Sequence, residues 1–317
     1  MAGKRRFSAV RDRVPPEIRQ GVSGWLARKG VEVADHYTGK QHVAVVPPWN
    51  NVVGLDYPTS AFNGPRWEPH PGLEEIIGRG EDDYQAALDL ISAVRDNFPA
   101  IEVHSTSESE PGWRNGWLPG LDSGAIYAFL HSRSPALYLE VGSGTSTKFA
   151  RRAIKDGSLP TEIVSIDPFP RTEINDLCDR VVRESLETAD MSVFEELKAG
   201  DIVFFDGSHR IFENSDATVF FLEVLPSIPP GVLVGIHDIY LPYDYPQSVA
   251  YRFYSEQYIL AAYLLAGQPF FRTVLPAWYV FQSPRFETAV NSFWADERLH
   301  DVETHGVAFW IETTERG

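Results

Sequence analysis

The stretch "LYLEVGSGTSTKFA", residues 137–150, decides the fold. An apolar run ends in an acid, a glycine-rich turn follows, and a helix-forming segment comes next. Such a strand–turn–helix unit opens a doubly wound α/β sheet. Glycines at the turn let the chain bend sharply and let a ligand come close to the backbone amides. The helix that follows aims the positive end of its dipole at the same spot. A dinucleotide fingerprint would read G-x-G-x-x-G, but Thr147 stands where the third glycine belongs. Glu140, the acid before the turn, would repel a pyrophosphate and attract a cation such as an ammonium or a sulfonium.

Outward from this unit, residues 121–317 alternate between strand and helix signals. Strands are expected near 137–141, 162–166, 180–184, 202–206, 232–236, 270–275 and 307–312. Helices are expected near 122–132, 146–156, 190–198, 214–225 and 250–266. Short apolar strands such as "IVFF" and "VLVGI" indicate a mostly parallel sheet covered on both faces. Ligands of such sheets bind beyond the carboxyl ends of the strands, so the residues just after each strand matter most.

Three more strand ends carry polar groups. Asp167, in "EIVSIDPFPR", lies 25 residues beyond Gly142, where a carboxylate can accept both hydroxyls of a ribose. That acid by itself does not separate NAD from S-adenosylmethionine. "DIVFFDGSHR" ends in Asp206, with His209 three residues on, and "GVLVGIHDIYLPYDYP" ends in His237-Asp238. Adjacent central strands would bring all four to one rim. One such His or Asp usually caps a loop or satisfies a hydrogen bond; two converging pairs point to a site. Carboxylates with an imidazole suit Mg²⁺, Mn²⁺ or Fe²⁺. They equally suit a general base held by a carboxylate.

The chain has 317 residues, 43% hydrophobic and 23% charged, enough for a sizeable core. Its formal net charge is −16, and its one basic cluster is Lys4-Arg5-Arg6. No nucleic-acid partner is expected, because that surface needs clustered Lys and Arg. One cysteine, Cys178, excludes an intrachain disulfide. The basic start lacks an apolar run after it, and the longest apolar stretch, "YILAAYLLAG" at 258–267, is too short to span a bilayer. A cytoplasmic protein without membrane partners is expected.

Residues 1–120 differ in texture, being rich in Pro, Trp, His and Gly. Segment 14–30 has room for one helix, 42–58 reads as short extended pieces broken by proline, and 81–98 reads as a helix with acids at its start. Residues 1–115 form a lid or acceptor-binding region in this reading, and 116–317 the main domain. Trp113, Trp117 and the aromatics of 49–71 are expected to fill a small core rather than line a pocket. "WYVFQ" at 278–282 reads as an extension of the sixth strand. Glu256 and Gln257 could face the acceptor, but a solvated helix face is the expectation for them.

Taken together, "YLEVGSGTSTKFA", "VSIDPFPR", "LKAGDIVFFDGSH", "PPGVLVGIHDIYLPYDYP", "EQYILAAYLLAG" and "GVAFWIE" resemble the class I S-adenosylmethionine-dependent methyltransferases. Within that superfamily they are similar to the branch with D-G-S-H and H-D motifs, which includes sugar and natural-product O-methyltransferases. The resemblance covers about residues 115–317. It implies a Rossmann-like, seven-stranded sheet with an antiparallel last strand, and O-methylation of a small molecule or sugar. It implies that Glu140, Gly142, Ser143, Gly144 and Ser146 meet the methionine end of the donor, that Asp167 binds its ribose, that Asp206 also lies at the cofactor, and that Glu187 lies near the adenine. Asp206 and Asp238 could hold Mg²⁺; His237 stands where related enzymes commonly carry a carboxylate or amide, so His209 or His237 could serve as base without a metal. The competing readings are an NAD-dependent oxidoreductase, a metal-dependent hydroxylase or hydrolase using Asp206, His209, His237 and Asp238, and a binding module without chemistry.

Overall fold

The structure, a computed structural model, describes residues 43–46, 51–54, 68–170, 174–250, 252–267 and 270–315. The chain divides into two compact units, Met1–Ser60 and Ala61–Gly317. In the first unit, β1 (Val43–Val46) pairs antiparallel with β2 (Asn51–Gly54), with Val45 opposite Val52. This agrees with the extended reading of that segment. The helix expected at 14–30 lies outside the described residues.

The second unit is built on seven strands: β3 (Leu137–Val141), β4 (Glu162–Ile166), β5 (Arg180–Val182), β6 (Ile202–Phe205), β7 (Leu233–Ile236), β8 (Phe271–Pro276) and β9 (Phe309–Thr313). Their order across the sheet is β5-β4-β3-β6-β7-β9-β8. β3, β4, β5, β6 and β7 run parallel, and β9 is antiparallel to both β7 and β8. The chain leaves the centre at β3, builds outward to β5, then returns to lay β6 on the other side of β3. That reversal is the switch point, where the loops after β3 and β6 part and leave a crevice. Every residue of β3, β6 and β7 is buried, which explains their apolar runs, interrupted only by Glu140 in β3.

The helices are α1 (Pro71–Gly78), α2 (Glu81–Val94), α3 (Gly120–Arg133), α4 (Thr145–Gly157), α5 (Ser192–Glu195), α6 (Asp216–Val219, continuing with a π turn at Phe220–Val224), α7 (Gln247–Ala250), α8 (Glu256–Leu265), α9 (Ala277–Gln282) and α10 (Glu287–Ser292). Glu81, Asp82 and Asp83 sit in the first turn of α2, where the dipole favours them. Residues 120–130 of α3 are all buried, so this helix is wrapped on every side. Among the described residues, no helix is long and apolar enough to cross a membrane.

Two segments depart from the sequence reading. The helix expected at 250–266 begins only at Glu256, as α8; α7 ends at Ala250, and between them Phe253 adopts a left-handed backbone (φ +55°) that no continuous helix permits. Residues 278–282 are not a strand extension but most of α9. Pro276 closes β8 and stands at the helix N-cap, and Ala277 and Val280, three apart, turn inward. An apolar run this short carries no period that separates the two cases.

Candidate active site

The turn after β3 rests on a close backbone contact. Gly142 has φ +80°, and a Cβ placed there would stand 1.9 Å from the Asp206 carbonyl oxygen at the end of β6. Its N–H donates to Ile166 O of β4 (3.0 Å), while Asp206 N donates to Val141 O (2.8 Å). The turn is thus stitched to both neighbouring strand ends, and only glycine fits. Gly144 lies open, with nothing within 4 Å of where its Cβ would be.

Thr147, the residue in place of a third glycine, has a structural task. Its hydroxyl accepts from Gly144 N (3.0 Å) and donates to the Glu140 carboxylate. Tyr138 Oη donates to the other Glu140 oxygen (3.2 Å). Glu140 is fully buried beneath the turn. Burial pushes its carboxyl up to about 7, against the pull of hydrogen bonds from Ser146, Thr147 and Tyr138. Beside the turn, Asp167 accepts from Ser143 N (2.8 Å) and from Phe169 N (2.8 Å). The Ser143 hydroxyl meets that of Ser165 at 2.6 Å. The turn and the acid after β4 therefore form one cradle. Glu187 follows β5, and its Oε2 is buried with no hydrogen-bond partner.

Across the switch point, β6 and β7 deliver the four residues expected there. The loop after Asp206 is anchored by Asp216, at the start of α6, which accepts from Ser208 N (2.6 Å) and Ser208 Oγ (2.5 Å). His209 then takes a left-handed backbone (φ +63°), as does Asp238 (φ +55°). Such backbones cost of order 1 kcal/mol each and cluster at functional sites. They turn both side chains toward Asp206. His209 Nε2 lies 3.2 Å from Asp206 Oδ1 and 3.5 Å from Asp238 Oδ2. His237 Nδ1 lies 3.4 Å from the same Asp206 oxygen. One oxygen each from Asp206 and Asp238 and one nitrogen of His209 fall within 4.8 Å of one another, a spacing that could hold a metal ion.

Two further acids complete the cluster: Glu256, for which the sequence favours a solvated face over one toward the acceptor, and Asp122, which the sequence reading does not single out. Glu256, the first residue of α8, is fully buried, and its Oε1 lies 2.6 Å from His209 Nδ1. Its neighbour Gln257 is also buried and accepts from Tyr240 N (2.9 Å). The solvated face expected for this pair is therefore wrong: α8 begins against the site, where Ser255 N donates to His209 O (2.8 Å). Asp122, in the first turn of α3, accepts from Val307 N (2.7 Å) and Ala308 N (2.9 Å) and lies 3.4 Å from His237 Nε2. An acid at the start of an apolar helix and an acid inside a wholly buried one were the available signals.

Acids outnumber imidazoles four to two in this cluster. Burial alone would lower both imidazoles, yet they are held well above the usual histidine range, His209 chiefly by Glu256 and His237 chiefly by Asp206. Asp206 is held well below the usual carboxylate range, because His237 and His209 outweigh its burial. Burial pushes Glu256 up to about 7, with His209 pulling the other way.

The cluster forms the floor of a cavity of about 260 Å³ whose walls include Trp117, Tyr240, Arg252, Tyr254, Glu303 and His305. Trp117 is 55% exposed at its edge, whereas Trp113 is core: it packs on Phe98, Phe149 and Trp294. The expectation that both fill a core holds for Trp113 alone.

Residues 139–239, from the middle of β3 to just past Asp238, match the family described as "Methyltransferase domain". Over this segment the chain is similar to a methyltransferase domain. The matched segment holds the glycine turn and the strands on either side of the switch point, and β8 and the antiparallel β9 lie beyond it. No curated protein matches the sequence. Among solved structures, an SAH-bound methyltransferase of Podospora anserina is 14% identical, with 73% of this chain and 88% of that one covered and a TM-score of 0.37. An O-methyltransferase of Bacillus cereus in complex with SAH is 16% identical, with 73% and 91% covered and a TM-score of 0.36. The plantazolicin methyltransferase BpumL, in complex with a pentazolic desmethylPZN analog and SAH, is 13% identical, with 60% and 86% covered and a TM-score of 0.37.

Proposed function

We propose that the methyltransferase domain uses S-adenosylmethionine to methylate a hydroxyl of a small molecule or sugar held in the cavity. The observation that carries this reading is the bond from Ser143 N to Asp167, which joins the glycine turn and the acid after β4 into one cradle. Gly142, Ser143, Gly144 and Ser146 then meet the methionine end, with the buried Glu140 carboxyl bracing the turn beneath them. Asp167 keeps lone pairs for the ribose hydroxyls, and the unpartnered Glu187 Oε2 suits an adenine amino group. Asp206, at the end of β6, stands between this cradle and the cavity floor.

Methyl transfer from a sulfonium is an in-line displacement, so the protein's main task is alignment. The acceptor hydroxyl must also lose its proton. His209 and His237 both line the cavity, and one of them, in its neutral form, takes that proton. Asp206 and Asp238 would hold a divalent cation, for which the compact carboxylate–imidazole donor set is suited; when bound, it would lower the pKa of the acceptor hydroxyl.

Calorimetric titration with S-adenosylhomocysteine, with NADH as control, tests the donor assignment. Micromolar binding of the former and none of the latter supports it. Binding of NADH instead, or of neither, overturns it. Asp167→Ala should weaken the homocysteine nucleoside at least tenfold, since a carboxylate to a pair of hydroxyls contributes charge-assisted bonds.

A further inference from the structure

We infer that Glu256 is a positioning residue that makes His209 the nitrogen ligand of a divalent-cation site, so that the site prefers Mn²⁺ over Mg²⁺ and His237 is left as the base. This rests on the proposed reading for the role of the site, though not for its chemistry.

The geometry is specific. Glu256 Oε1 lies 2.6 Å from His209 Nδ1, in a place where both side chains are shielded from water. A carboxylate this close accepts a hydrogen bond from Nδ1–H and fixes the tautomer, so that in the neutral ring, the form that ligates a metal, the lone pair is on Nε2. The ring has little freedom to turn away. Tyr254 packs on it with centroids 4.3 Å apart, and the His209 backbone carbonyl accepts from Ser255 N. Nε2 is thereby aimed into the gap between Asp206 Oδ1, at 3.2 Å, and Asp238 Oδ2, at 3.5 Å. Two donors in adjacent positions around a six-coordinate ion, each about 2.1 Å from it, stand about 3 Å apart. The two separations from Nε2 are close to this, and all three donor atoms lie within 4.8 Å of one another.

Three features then follow from donor chemistry. Two carboxylates and one imidazole bind Mn²⁺, Fe²⁺, Co²⁺ or Zn²⁺ better than Mg²⁺, which favours oxygen donors and retains its water. A carboxylate behind a ligating imidazole raises that ligand's basicity and typically carries a tenfold to hundredfold share of metal affinity. His237 keeps Nε2 toward the buried Asp122 at 3.4 Å, a carboxylate–imidazole pair of the kind that serves proton transfer.

The test uses the whole chain, stripped with EDTA, and Mn²⁺ and Mg²⁺ alone as probes. Electron paramagnetic resonance counts bound Mn²⁺, Mg²⁺ competition gives the preference, and electron spin-echo modulation reports nitrogen at the bound ion. Wild type should bind Mn²⁺ at least tenfold more tightly than Mg²⁺ and show one imidazole nitrogen. Glu256→Gln should lose tenfold to hundredfold in Mn²⁺ affinity with Mg²⁺ affinity changed less than threefold. A merely structural role for Glu256 would weaken both ions alike. Glu256→Asp, reaching less far but keeping the charge, should recover part of the loss. Should Glu256→Gln not fold, His209→Gln carries the same weight: it should abolish the nitrogen signal and the Mn²⁺ preference. Absence of nitrogen modulation in wild type, its persistence in His209→Gln, or wild-type Mn²⁺ affinity in folded Glu256→Gln overturns the inference. S-adenosylhomocysteine titration of the same samples separates the two readings. Nitrogen-ligated Mn²⁺ without nucleoside binding sinks the donor assignment alone, and the reverse sinks the metal site alone.

Discussion

Gly142→Ala is the perturbation that tests how the glycine turn is held. Two costs add. The backbone there has φ +80°, where a side chain costs about 1–2 kcal/mol. The new methyl would also stand 1.9 Å from the Asp206 carbonyl oxygen, about 1 Å closer than real side chains come. Neither partner can give cheaply, because both are backbone and are tied to β4 and β6 by the bonds from Gly142 N and Asp206 N. Overpacking of this kind costs roughly 1–3 kcal/mol more. The sum is about 2–5 kcal/mol, a large part of the stability of a typical domain. Gly200→Ala isolates the first cost: its φ is +98° and nothing lies within 4 Å of its Cβ position. Urea unfolding of wild type and both mutants gives the comparison. Gly142→Ala should lose about 1–3 kcal/mol more than Gly200→Ala. It should also lose S-adenosylhomocysteine binding, because the shift moves the turn against the strand end that carries Asp206. Equal losses in the two mutants would refute the stitched-turn account.

Three further outcomes can be checked. The Glu140 carboxyl, at about 7 when folded and 4.5 ordinarily, stays protonated in the folded chain where the unfolded chain has released its proton. Stability from this group is therefore full below about pH 4.5 and falls by about 3 kcal/mol as pH rises to 7, so denaturant melts of Glu140→Gln should lack that part of the slope. Asp122→Asn replaces one of two acceptors for Val307 N and Ala308 N with a donor, which should cost about 1–3 kcal/mol and lower Tm. Thr147→Val removes the hydroxyl joining Gly144 N to Glu140; it should weaken S-adenosylhomocysteine binding while leaving Mn²⁺ binding unchanged, and calorimetry with each probe distinguishes the two.

Much of this molecule is legible from residue order alone. Parallel strands buried on both faces must be short and continuously apolar, so β3, β4, β6 and β7 stand out, and the polar residues that interrupt them mark their carboxyl ends. Glu140, Asp167, Asp206, His209, His237 and Asp238 could thus be placed on one rim before any coordinates, because a doubly wound sheet collects its strand ends there. The reach of each polar side chain could not. Glu256 and Asp122 come to the two imidazoles from helices 47 residues beyond His209 and 115 before His237, and no local pattern encodes such distances. The helix at 277–282 and the break at Phe253 were likewise settled by what packs against them. Local sequence determined which strands form and where their polar ends lie, since period and burial act residue by residue. Only the tertiary structure decided which carboxylate faces which imidazole, since that depends on how distant helices close over the sheet.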